Sequence, residues 1–249
     1  MTKVFVHGNP ETAAIWGPLV TELASRGIDD VVLLSPPGFG APVQRGWGAT
    51  QGEYRDWLLA ELRRFDEPVD LVGHDWGAGH VYGVLAHEPG LVRTWAADCA
   101  GLLHPDYVWH DAAKGWQTAE VGEASVEGLV AMPPDVFASV FGPLGMGDKV
   151  AREVSAGLDA DTARCILALY RSAAQPEMVR LGEAFRAASP ARGMVVIAEL
   201  DHFAGTDSMH AEVAGWAGAG VTRLAGVGHW WMVENPAAAA DALASHWGN

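Results

Sequence analysis

The apolar run Val69-Asp70-Leu71-Val72, followed at once by Gly73-His74-Asp75-Trp76-Gly77, constrains this chain more than any other stretch. A short apolar run that ends at a glycine and passes into a helical pattern predicts strand, sharp turn and helix. The glycines permit close backbone approach and unusual dihedrals, so the residue between them is lifted above the sheet as a nucleophile elbow. The usual residue there is serine, and here it is Asp75. A serine must lose a proton and attacks carbonyls. An aspartate is already an anion at neutral pH, with a reference pKa of about 3.9. It can attack a saturated carbon and form an ester with it. The expected target is an sp3 carbon bearing a leaving group, such as a carbon–halogen bond or an epoxide. The structural alternative is an Asp N-cap between two glycines.

A chain of 249 residues, 49% hydrophobic, suits one α/β domain with an insertion. The net charge is -15 and no Lys/Arg-rich run occurs, which argues against nucleic-acid binding because phosphate contacts need clustered cations. The two cysteines, Cys99 and Cys165, form no pattern, so a reduced, cytoplasmic setting is expected. No signal-like apolar segment precedes Val4-Phe5-Val6, and no run is long enough to span a bilayer, so no membrane association is expected.

Short apolar runs alternate with helical-period stretches, the pattern of a parallel sheet with crossover helices. Strands are expected near Lys3–Val6, Asp30–Leu34, Val69–Val72, Thr94–Ala97, Met194–Ala198 and Thr222–Ala225. Helices are expected near Ile15–Arg26, Gln51–Phe65, Ala78–His87 and Pro236–Trp247. Between residues 102 and 190 the strand pattern stops, and Ala, Pro, Met and aromatics dominate with short helical pieces. The expected organisation is therefore a core domain of residues 1–101 and 191–249, with residues 102–190 inserted as a helical cap. Ligands in such sheets sit at the carboxyl ends of the strands, where an insertion would form a lid.

An Asp nucleophile needs donors for the leaving group, a base to activate water and an acid to orient that base. His7-Gly8-Asn9-Pro10 follows the first strand, and Asn9 offers a side-chain amide. Trp76 follows the nucleophile and offers an indole N–H. Their plain alternatives are a turn-forming Asn before Pro and simple packing. His229, in Val227-Gly228-His229-Trp230-Trp231 after the last strand, is the candidate base, with a reference pKa of about 6.5. The acid is expected at Asp201, after the strand Met194–Ala198, with Asp98 as the alternative and Glu199 as a weaker third choice. The remaining histidines show no zinc spacing, and no metal or cofactor is expected.

These residues resemble a family. His7-Gly8-Asn9-Pro10, Gly73-His74-Asp75-Trp76-Gly77, Glu199-Leu200-Asp201 and Gly228-His229-Trp230 are similar in order and spacing to the α/β-hydrolase fold, in its branch of haloalkane dehalogenases and epoxide hydrolases. Ser35-Pro36-Pro37-Gly38-Phe39-Gly40 also sits where these enzymes carry a Pro- and Gly-rich loop. The resemblance implies a mostly parallel sheet flanked by helices. Two strands common at the start of the family are missing here, so about six strands are expected. It implies Asn9 and Trp76 as the halide-binding pair of a dehalogenase. Epoxide hydrolases usually carry an aromatic at the Asn9 position and use two cap tyrosines as acids, for which this chain offers Tyr107 and Tyr170. Tyr170 has a simpler role as a packing residue. The leading expectation is a covalent alkyl-enzyme hydrolase, dehalogenase before epoxide hydrolase, acting with water on a small apolar electrophile. A non-catalytic binding protein on the same fold is the other class, and the intact Asp, His and acid set argues against it. An acyl hydrolase is disfavoured because the elbow holds neither Ser nor Cys.

Overall fold

Buried on both faces, a parallel strand reads as a continuous apolar run, and β1 (Lys3–Val6) and β3 (Val69–Gly73) are buried along their whole length. The structure, a computed structural model, describes residues 1–188 and 190–248. Among these residues six strands pair in parallel in the order β2-β1-β3-β4-β5-β6. The others are β2 (Val31–Leu34), β4 (Val92–Ala97), β5 (Arg192–Ala198) and β6 (Gly220–Leu224). The edge strands β2 and β6 are the least buried. Asp70, a charge inside fully buried β3, accepts from Thr94 Oγ1 at 2.6 Å and pairs with Arg93 and Lys3. Buried charge is tolerated only when paired in this way.

The helices before residue 100 are α1 (Gly17–Ser25), α2 (Gln51–Leu62) and α3 (Trp76–His87). The expected helix from Ile15 begins later, because Ala13–Trp16 is a tight 3₁₀ turn and Pro18 sits in the first turn of α1. Helix α2 starts on a capping box between Thr50 and Glu53 and stops at Leu62. Its Tyr54, Leu58 and Leu62 are buried, while Trp57 and Phe65 are half-buried.

Residues 104–190 contain no strand among the described residues. They form α4 (Asp111–Gln117), α5 (Val121–Val130), α6 (Pro134–Phe141), α7 (Asp148–Ser155), α8 (Ala160–Ser172) and α9 (Glu177–Ala187). The first five pack mainly among themselves, α4 and α5 with α8, and α6 with α7. Helix α9 is different. It packs on α3, and Phe185 meets Tyr82 and Trp95 edge-on at 5.3 and 5.8 Å. A helix α10 (Asp207–Trp216) connects β5 to β6, in a stretch whose mixed polar pattern gave no helical expectation. The chain closes with α11 (Trp231–Glu234) and α12 (Pro236–Trp247), the latter capped by Asn235 and ended by Gly248 in the left-handed region. Helices α1, α11 and α12 form one group and α2, α3, α9 and α10 another, flanking the sheet. Among the described residues no single helix is long and apolar enough to cross a membrane.

Candidate active site

The turn between β3 and α3 holds Asp75 at φ 52° and ψ -121°, a conformation that costs a non-glycine residue about 1–3 kcal/mol. The sequence enforces it through small neighbours. A Cβ on Gly77 would stand 2.1 Å from the Val6 carbonyl oxygen, and one on Gly73 would stand 2.7 Å from the Ala78 Cα. Gly8 is needed for the same reason, since a Cβ there would meet the Asp75 carboxylate at 2.1 Å. The loop after β1 and the elbow therefore close on each other with the carboxylate between them. Asn9 donates its backbone N–H to Asp75 Oδ1 at 2.9 Å. The other oxygen, Oδ2, faces His229, whose Nε2 lies 3.8 Å away.

The loops after β5 and β6 supply the rest. His229 Nδ1 meets Asp201 Oδ2 at 2.8 Å, and the Phe203 backbone N–H fixes the other Asp201 oxygen at 2.9 Å. Burial works to lower the His229 pKa, but the Asp201 carboxylate outweighs it and raises the value to about 9. Burial pushes Asp75 up to about 6, against the opposing pull of His229. Burial also disfavours the Asp201 anion, but the His229 ring holds that carboxyl well below the usual range.

Asp98 does not contact His229. Its Oδ1 accepts the Asp75 backbone N–H at 2.9 Å, and its Oδ2 accepts from Trp231 Nε1 at 2.7 Å and faces His74 Nδ1 at 2.5 Å. Glu199 is turned away and accepts from the Gly226 N–H at 2.7 Å. The structure thus places Asp201 beside His229, Asp98 beneath the elbow, and Glu199 in the β6 turn.

Asn9, Asp75, Tyr170 and His229 border one cavity of about 160 Å³, walled by Trp116, Leu129, Phe141, Phe203 and Trp230. No lysine or arginine lines it. Both polar atoms of the Asn9 side chain are buried without a partner. Trp76 does not line this cavity; its ring stacks 6.0 Å from Trp109 and meets Tyr170 edge-on at 5.3 Å. Burial and the Asp75 charge raise the Tyr170 pKa well above its ordinary value, and the nearby Trp76 and Asn9 side chains oppose the rise. The Tyr107 hydroxyl donates to the Phe203 carbonyl at 2.8 Å.

Glu11 and His74 were passed over in the sequence, although both lie within two residues of a candidate. Glu11 Oε1 accepts from Trp230 Nε1 at 2.6 Å and faces His74 Nε2 at 3.1 Å, and Oε2 accepts the Gly8 N–H at 3.0 Å. Two triplets, Glu11 with His74 and His229, and Cys99 with Asp201 and His229, bring possible metal-ligand atoms within 4.8 Å of one another. Glu11 Oε1 and both His74 nitrogens are already paired, so the first triplet is accounted for as an ion-pair network. Both cysteines are buried and free.

A glycine-flanked acid on a strained strand-to-helix turn, faced by a His–Asp pair from the last two strand ends, defines the hydrolase class of doubly wound α/β proteins. Comparison with known proteins agrees. A model of the alpha/beta hydrolase family matches residues 4–242, and the chain belongs to that family. No curated protein matches it in sequence. Among solved structures it is similar to a loop variant of the haloalkane dehalogenase DbeA from Bradyrhizobium elkanii, with TM-score 0.76 and 19% identity over 99% of this chain and 90% of that one. It is also similar to E-2-(acetamidomethylene)succinate hydrolase, with TM-score 0.71 and 17% identity over 100% of this chain and 91% of that one. A thioesterase domain from the curacin biosynthetic pathway matches with TM-score 0.69 and 13% identity over 97% and 90%. These likenesses share a fold and span different chemistries, so the reaction must be argued from the site.

Proposed function

We propose that this protein is an Asp-nucleophile hydrolase that cleaves a carbon–halogen bond in a small uncharged substrate. The observation that carries this reading is Asn9. Its amide is buried, borders the cavity with Asp75 and has no partner, which is costly unless a ligand supplies one. A departing anion beside Asp75 would be such a ligand, with Asn9 and Trp76 as donors.

In the first step Asp75 Oδ2 attacks carbon while the halide leaves with the bonding pair. The second oxygen is already held by the Asn9 N–H, so the free one is the nucleophile. The product is an alkyl ester of Asp75. In the second step His229 takes a proton from water, the hydroxide adds to the Asp75 carboxyl carbon, and the expelled alkoxide takes that proton back from His229 and leaves as the alcohol, while the Asp75 carboxyl loses its own proton to water. Esterification erases the Asp75 charge, one of the groups that raise the His229 pKa, so the first step itself prepares the base for the second. Asp201 holds the ring. Helices α4–α8 would act as the cap over the cavity, with α9 belonging to the core.

Epoxide opening is the second reading, favoured by the position of Tyr170. Two tyrosine donors are needed for the paired mechanism, and the Tyr107 hydroxyl is engaged by Phe203. A mostly apolar lining without lysine or arginine further favours neutral alkyl substrates over charged acids. The test is a parallel assay of bromide release from short bromoalkanes and diol formation from a terminal epoxide, with Asp75→Asn as the inactive control. Bromide release that depends on Asp75 is the expected result. No bromide, with a diol that depends on Tyr170, would replace this reading with the epoxide one.

A further inference from the structure

Behind the elbow lies a buried array of charge that the two steps above do not use. His74 and Glu11 are fully buried and Asp98 nearly so. Both ring nitrogens of His74 face carboxylates, Nδ1 toward Asp98 and Nε2 toward Glu11. A neutral imidazole has one donor and one acceptor nitrogen, so it would leave one carboxylate facing a lone pair. Only the imidazolium satisfies both sides. The carboxylates are themselves tied to the site. Asp98 accepts the Asp75 backbone N–H, and Glu11 accepts the Gly8 N–H and the Trp230 indole. The three residues thus link the elbow, the loop that closes on Asp75, and the segment that carries His229. The rings of His74 and His229 are 4.6 Å apart.

We propose that Glu11, His74 and Asp98 form an ionic brace in which His74 stays doubly protonated, positions the elbow, and keeps Asp75 ionised and His229 free to act as base. The inference rests on the reading of Asp75 as nucleophile and His229 as base. The charged and titratable groups around His74 are Glu11 from the β1 loop, Asp98 after β4, Asp75 beside it, Asp201 after β5, His229 after β6 and His7 at the end of β1. Burial pushes His7 down to about 4, so it is neutral and adds no charge. His74 then stands as a fixed positive charge among four carboxylates. It draws Asp75 toward the anion and opposes protonation of His229. Burial alone would make His74 neutral, and Asp98 and Glu11 overcome it.

Two measurements test the brace. The first is nitrogen-15 NMR of the histidine rings in the wild-type protein, which needs no turnover and is independent of the reaction assigned. His74 should show both nitrogens protonated, with no titration between about pH 5 and 9. A neutral His74 tautomer in that range would overturn the proposal. The second is the pH profile of kcat and kcat/KM for whichever substrate is turned over. His74→Asn removes the positive charge, so the acidic limb should move up by about one unit. Glu11→Gln removes a negative charge, and where the same NMR shows His74 still doubly protonated on Asp98, the limb should move down. Opposite shifts are the signature of charge, because a packing defect lowers rates without moving the limb in two directions. Equal rates of loss across pH in both variants, with unmoved limbs, would reduce the brace to a structural support.

Discussion

At the scale of single residues, Asp75 carries a conflict between stability and use. Burial raises its pKa to about 6, above the unfolded value near 3.9. A carboxyl with a raised native pKa favours folding while it is protonated, and that benefit is lost as pH rises through the range from about 4 to 6. At pH 8 the ionised group is therefore a net cost. Asp75→Asn should raise stability by about 1–3 kcal/mol at pH 8 and by almost nothing near pH 4, measured by urea unfolding at the two pH values. An equal gain at both would mean that the charge is not the cause. His229 gives a second prediction. In the proposed reaction it serves only the hydrolytic step, so His229→Gln should stop turnover and leave a stable adduct on the Asp75 peptide, seen by intact-mass and peptide mass spectrometry. Lost turnover with no adduct would move His229 into the first step.

At the scale of elements, the elbow predicts its own intolerance. Gly77→Ala would drive a Cβ into the Val6 carbonyl, backbone against backbone, and should cost more than about 2 kcal/mol by chemical denaturation. Gly17→Ala, at an exposed helix start with open space around the new methyl, should be neutral or stabilising by up to about 1 kcal/mol. The strands were legible because those buried on both faces read as apolar runs, and the elbow because glycines flank an acid at the end of one. Helix α10 was not, since its residues alternate polar and apolar without a clear stripe, and packing against β5 and β6 decides it. Helix α9 was hidden inside a stretch read as one insertion, because Phe185 finds its partners only in three dimensions. The Glu11–His74–Asp98 array was hidden too, as its members stand 63 and 24 positions apart in pairs.

At the scale of the whole molecule, three strand ends, one elbow and a set of helices converge on a cavity lined by Asp75 and by the Asn9 side chain, whose polar atoms have no partner. The proposed reaction-selecting groups, Asn9 on the β1 loop and Tyr170 on α8, lie far apart in sequence. Asn9→Ala should lower kcat/KM for bromoalkanes by roughly 10²-fold, the loss typical of one preorganised donor. Tyr107→Phe should change it little, and Tyr170→Phe less than Asn9→Ala, with bromide release as the readout. The central claim is that Asp75 bonds to the substrate, and a single turnover in heavy-oxygen water tests it most directly. With enzyme in excess, the first alcohol formed should carry ordinary oxygen taken from Asp75, and the label should enter the Asp75 carboxylate. Heavy oxygen in that first alcohol, with an unlabelled Asp75, would mean direct attack by water and would contradict the account.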